Sequence, residues 1–172
     1  MPMGFTFPAN KPVSTRYGEK GFLFLVLLMP VLMALLGFSC HSPIKSDLPV
    51  SLLKVDGHEI WVEVANKEAT RSSGLMFRTH LDQDNGMLFV FSDTAVRAFW
   101  MKNTLIPLSI AFMDEKGVIL NTEEMTPQNL QNTWSKGPAR FALEMNAGWF
   151  TKNGVKAGDS VEGVLGAPKA ED

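Results

Sequence analysis

Two kinds of apolar pattern run along this chain. From Gly21 to Ser39, nineteen residues rich in Leu, Phe, Val and Met pass without a charge. As a helix that stretch would span roughly 28 Å, about one bilayer core. From Val50 the pattern changes to a period of two, the mark of half-buried strands. Ile60, Val62 and Val64 alternate with Trp61 and Glu63, and Asp56-Gly57 supplies a tight hairpin turn from a strand at about 50–55. Lys67 to Ser73 is polar and helix-compatible, with Gly74 placed to end it as a left-handed cap. Asp84-Asn85-Gly86 reads as a turn. Met87 to Phe91 is apolar on both faces and predicts a strand covered on both sides. Val96 to Lys102 reads as a further strand.

Leu108, Ile110 and Phe112 alternate with Ser109 and Ala111. Asp114 to Gly117 turns the chain and Val118 to Glu124 returns it, so 106–125 is the clearest hairpin. Pro127 to Pro138 is a polar loop. Ala139 to Met145 is a strand with Phe141, Leu143 and Met145 on one face. Trp149 to Asn153 forms a helical turn ended at Gly154, and Ser160 to Leu165 is a last strand. About eight short strands with at most two short helices predict a mainly β fold, a single compact barrel-like or sandwich-like domain. The expected organisation is a leader over 1–39, a tether over 40–49, one β-rich domain over 50–166 and a disordered tail over 167–172.

The leader carries a localisation. Lys11, Arg16 and Lys20 precede the apolar run, with Glu19 as the one acid among them. Basic, then apolar, then small residues is the layout of an export signal. Gly37-Phe38-Ser39-Cys40 follows and resembles the lipobox of bacterial lipoproteins, in which the cysteine becomes the first mature residue and carries lipid. Three outcomes stay open: lipidation at Cys40, an uncleaved anchor helix, or simple secretion. In each the domain is exported, and in the first two it is tethered to a membrane facing the periplasm or cell envelope. With His41 after the cysteine, the lipoprotein resemblance implies the outer membrane.

Composition then removes several functions. Cys40 is the one cysteine of the 172 residues, so the domain beyond it has no disulfide and no thiolate metal site. Only Lys11, Arg16, Lys20 and Glu19 of the 16 basic and 18 acidic residues precede Cys40, which leaves a formal charge of −4 beyond it. The signs are interspersed and form no basic stripe, so nucleic acid is not an expected partner. His58 and His80 lack ligand spacing, and Asp82 to Gly86 lacks the later carboxylate of a calcium loop. We therefore expect no metal and no cofactor. No glycine-rich phosphate cradle and no nucleophile elbow is present, so no catalytic residue is assigned.

Several segments occur in a telling order: Gly74-Leu75-Met76-Phe77-Arg78; Asp84 through Phe91; Phe99-Trp100-Met101-Lys102-Asn103-Thr104 with Ile106-Pro107-Leu108; Leu143-Glu144-Met145 with Ala147-Gly148; and Gly158-Asp159. In these the chain resembles the domain of unknown function 192 family over about Leu53 to Gly163. The resemblance implies a compact, mostly β domain with short helical turns and no established activity. It also marks a departure. The family usually has Asp after Ile-Pro-Leu, and this chain has Ser109.

The candidate binding residues are Arg78, Trp100, Lys102, Asn103 and Glu144. On a regular strand Trp100, Lys102 and Thr104 would share one face, placing a lysine beside an indole, a usual way to hold a sugar or a planar acid. The competing reading is a core strand whose lysine reaches the surface. Glu144 faces away from Leu143 and Met145, and an Arg78–Glu144 or Lys102–Glu144 pair would mark a site or a structural ion pair. Arg71 reads as solvated or capping. Three functions follow: a binding or accessory module for a small polar ligand, carbohydrate or anion; an envelope enzyme acting on a glycan through Glu144 with Lys102 or Arg78; or a purely structural lipoprotein.

Overall fold

The computed structural model describes residues 47–172. The leader, Cys40 and the first part of the tether lie outside the described residues. The chain enters as β1 (Val50–Val55) and turns back as β2 (His58–Ala65) in the expected hairpin. Asp56 and Gly57 both sit at positive φ, 45° and 84°, the turn whose twist matches that of the strands it joins. A short helix, α1 (Glu68–Ser73), follows. Its end is closed by the Gly74 amide on the Thr70 carbonyl with Gly74 at φ 46°.

After a loop the chain returns as β3 (Asn85–Ala95), parallel to β2. The hairpin of β5 (Leu108–Met113) and β6 (Ile119–Met125) comes next. β8 (Ala139–Asn146) then inserts between β3 and β5, antiparallel to both. α2 (Trp149–Lys152) and β9 (Val161–Glu162), paired to β1, complete the sheet in the order β6-β5-β8-β3-β2-β1-β9. Backbone bonds tie its two margins together: Ile119 N–H to Asp159 O at 2.8 Å and Val161 N–H to Gly117 O at 2.9 Å. The sheet therefore curls into a partly closed barrel, and the mainly β expectation holds.

Both faces of the central strands are covered, because β3 and β5 are apolar on both sides. One face joins Val62, Leu88, Phe141, Leu143 and Met145 to Trp149 and Phe150 of α2. The other joins Met87, Phe89, Ile110, Phe112 and Ala142 to Leu75, Leu81 and Met101, which come from the loops laid over it.

Several local expectations are corrected. Gly86 is not in a turn; the chain turns at Asp82, whose carbonyl accepts the Asn85 amide at 3.1 Å, and Gly86 lies in β3 opposite Met145. The strand expected over 96–102 shrinks to β4 (Ala98–Phe99), which pairs with β7 (Thr133–Trp134) inside the loop expected to be irregular. The Thr104 amide bonds to Met101 O at 3.1 Å and Asn103 takes φ 55°, so the chain bends where alternation had read an extended run. The last strand is two residues, followed by a tight turn over Val164–Gly166. Residues 167–172, expected to be disordered, lie back on the domain. The Asn66 side chain donates to Lys169 O at 2.8 Å, and the Glu171 amide donates to Asn66 O at 2.8 Å.

Candidate functional site

Glu144 is an acidic residue buried in the middle of the sheet. It sits mid-strand in β8, between Met87 of β3 and Ile110 of β5 in the ladder. Alternation puts Leu143 and Met145 under α2 and Glu144 on the opposite face. That face is also covered, so Glu144 is only 5% exposed. No hydrogen bond from a described residue reaches its carboxyl. Every fully enclosed side-chain polar atom among the described residues has a partner, so the remaining exposure of Glu144 belongs to its oxygens. Burial pushes its carboxyl up to about 8. At pH 7 it is mostly a neutral acid with one O–H to donate.

Those oxygens open on a slot of about 40 Å³, bounded by Ser73 at the end of α1, by Gly74 to Met76 after it, and by Phe99, Trp100 and Thr104. A cavity of this kind needs about 10–15 Å³ to hold a water, so the slot admits a small polar group and not a whole ring. It adjoins a groove of about 260 Å³ that shares Arg71, Ser72, Phe89, Phe99 and Trp100 with it and adds Glu68, Phe91 and Ala98. The rings form an edge-to-face set, Phe89 to Phe99 at 4.9 Å and Phe99 to Phe112 at 5.6 Å between centroids. Edge-to-face packing is the preferred geometry for such pairs and holds the floor of the groove firm.

Three loops frame this end of the molecule, and each holds a residue in a left-handed conformation that side chains disfavour. These are Phe77 (φ 63°), Asn103 (φ 55°) and Gln128 (φ 58°). The loops are cross-linked through backbone: Phe77 N–H to Asn103 O at 2.8 Å, Gln128 N–H to Thr104 O at 3.1 Å and Met101 N–H to Asn129 O at 2.9 Å. Of the four non-glycine residues at positive φ among the described residues, only Asp56 lies elsewhere. Backbone strain that the surroundings enforce concentrates at functional sites. The same loops expose Phe77 (69%), Leu130 (65%) and Trp100 (47%).

The sequence candidates separate here. Trp100 and Glu144 line the slot together. Lys102 does not line it; its Nζ stands 5.1 Å from the Trp100 ring centroid. Asn103 is spent on the loop junction, its carbonyl holding Phe77 and its amide 4.0 Å from Met76 Sδ. Arg78 pairs not with Glu144 but with Glu63 of β2, at 2.7 Å. Glu63 and Glu144 flank Met87 in one cross-strand row, about two strand spacings or roughly 10 Å apart, and the loop after α1 brings Arg78 down over the nearer one. Arg78→Ala should cost about 2 kcal/mol in urea unfolding, less than for a sealed pair because Arg78 is half exposed while Glu63 is buried.

Arg71, read as solvated or capping, is in fact anchored. Its guanidinium donates to Asn66 O at 2.9 Å and Val90 O at 3.1 Å and pairs with Asp172. Ser109, where the family resemblance implies Asp, is buried and donates to Glu124 Oε1 at 2.7 Å. The Gly148 amide reaches both Ser109 Oγ and Glu124 Oε2, at 2.8 and 3.1 Å. A carboxylate thus still reaches that point, from β6. His58 packs edge-on to Trp149, and His80 meets Asp82 at 2.8 Å. A larger cavity of about 420 Å³ near Arg140 and Lys116 is rimmed by exposed lysines and holds none of these residues; it lacks a buried polar group to orient a ligand.

Residues 51–163 match the model of the family DUF192, described as uncharacterized ACR. Two solved structures are similar. One is a candidate transcription regulator from Sinorhizobium meliloti 1021, 33% identical, covering 69% of this chain and 97% of that one with a TM-score of 0.66. The other is a protein of unknown function from Novosphingobium aromaticivorans DSM 12444, 33% identical, covering 72% and 94% with a TM-score of 0.67. No curated protein matches the chain.

Proposed function

From a chain that belongs to the DUF192 family, we propose a binding module for a small polar ligand, working at the cell envelope. The observation that carries the reading is Glu144, a buried carboxyl without a hydrogen-bond partner among the described residues, opening on a slot beside an aromatic groove. A buried polar group without a partner is costly and is retained where something completes it. Trp100 forms the lip of both slot and groove. The envelope location rests on the apolar run Gly21 to Ser39 and on Cys40, as a lipid or helical tether. The enzyme reading, Glu144 with Lys102 or Arg78, is less well supported, because Arg78 pairs with Glu63 and Lys102 does not line the slot.

The test is a thermal-shift screen of the full-length chain against small neutral and anionic polar compounds. A ligand present at one hundred times its dissociation constant should add about 2.7 kcal/mol of stability, and Trp100→Ala should remove the effect. If no compound shifts the wild type, the binding reading fails.

A further inference from the structure

We infer that the occupant of this site is neutral and hydroxylated: a sugar ring lying in the aromatic groove with one hydroxyl or hydroxymethyl group in the slot, and not an anion. The inference rests on the ligand-binding reading above and settles its ligand class.

The charges around the site decide it. Each cation near it already has its work. Arg71 is held by Asn66, Val90 and Asp172. Arg78 is held by Glu63. Arg97 is held by Asp93 and by the Ala139 carbonyl, with its guanidinium 3.9 Å from the Phe91 ring centroid. Lys102 lies over the Trp100 ring and outside the slot. Of these cations only Arg71 lines the slot, and it is already paired with Asp172, so an entering anion would compete for a spent charge; burying a charge without its own partner is far more costly than burying a hydroxyl. The groove rim carries Glu68, which would repel an anion further.

Besides the paired Arg71, the polar residues that line the slot are Glu144, Thr104, Ser72 and Ser73. A hydroxyl both donates and accepts, so it can pair with a neutral carboxylic acid, which also does both. The slot volume of about 40 Å³ limits the entering part to a small group such as a hydroxyl or hydroxymethyl. The rest of the ligand lies along Phe99 and Trp100 in the groove of about 260 Å³, since Arg97 already stands on the Phe91 ring. The C–H face of a pyranose suits that surface, since its weakly positive hydrogens meet the negative face of an aromatic ring.

The experiment is saturation-transfer NMR and titration of the full-length chain, held in a detergent without a sugar headgroup. The probes are methyl glucopyranoside and N-acetylglucosamine against glucuronate and glucose 6-phosphate. The neutral probes should bind at least about tenfold more tightly than the anionic ones. Glu144→Gln, which keeps a donor and an acceptor, should retain neutral-sugar binding within about threefold, while Glu144→Leu and Trp100→Ala should each weaken it by about tenfold or more. Anionic probes binding as well or better would overturn the ligand class and leave the slot as a binding site. Failure of every probe to bind would remove both. Sugar binding indifferent to Glu144→Leu would place the contact elsewhere and overturn the inference.

Discussion

Relative to wild type, Glu144→Gln should gain about 4 kcal/mol of stability between about pH 4 and pH 9. The cause is the carboxyl that burial lifts from 4.5 to about 8. Below 4.5 the group is protonated in both folded and unfolded chains and exerts no pull. Between 4.5 and about 8 the folded chain holds one proton more than the unfolded chain, so stability falls as pH rises. Above about 8 the folded chain ionises too and the loss levels off. Glutamine cannot ionise and escapes the slope. Asp93, held below the usual carboxylate range by Arg97, and Asp172, held there by a hydrogen bond from Ser92 and then by Arg71, work in the opposite direction at the acid end. They are common to both proteins and cancel in the difference. Urea unfolding of the pair across pH reads it directly. Parallel curves would mean that Glu144 is solvated and that no buried acid faces the slot.

Gly86→Ala should cost about 3 kcal/mol or more, at the upper end for overpacking a core. Gly86 lies in β3 between Val62 of β2 and Met145 of β8. A Cβ there would stand 2.5 Å from the Glu144 carbonyl oxygen and closer still to Met145 Sδ. The thioether can swing aside, but the carbonyl belongs to the ladder. β3 and β8 would have to part at the residue that forms the slot floor. Gly57→Ala is the control: it has φ 84° but no atom near its added Cβ, and only the conformational cost of about 1 kcal/mol applies. Chemical unfolding of the two variants separates close approach from turn conformation. Equal costs would remove the packing argument for Gly86.

How much of this was legible in the sequence depends on range. The β1–β2 hairpin and the 106–125 hairpin follow from alternation and from turn residues within a few positions. β3 announced its burial on both faces through Met87 to Phe91. Glu144 could be placed on the face away from Leu143 and Met145, but its burial could not be seen locally. That burial comes from Leu75, Met76 and Trp100, far off in the chain. The partner of Arg78 was missed for the same reason, since Glu63 meets it only once the loop after α1 folds over β2. Two local signals compete with the alternation. Val96 to Lys102 reads as strand, but Asn103 directly after it tolerates the left-handed conformation that bends the chain there. Gly86 reads as a turn glycine because Asp84 and Asn85 precede it, but a glycine at the head of an apolar strand also fits a close backbone approach, here to β8. The tail's expected disorder has no local counter-signal, because Asn66, Lys67 and Arg71 hold it from far back in the chain.

The most direct measurement is the titration of the Glu144 carboxyl itself, by carbon NMR of the full-length chain labelled at glutamate and assigned with Glu144→Gln. The expected result is one side-chain carboxyl that stays protonated through neutral pH and titrates near 8. Adding the neutral sugar should shift that same resonance. A Glu144 signal that titrates near 4.5, or one that no added compound moves, would contradict a buried acid held ready for a ligand.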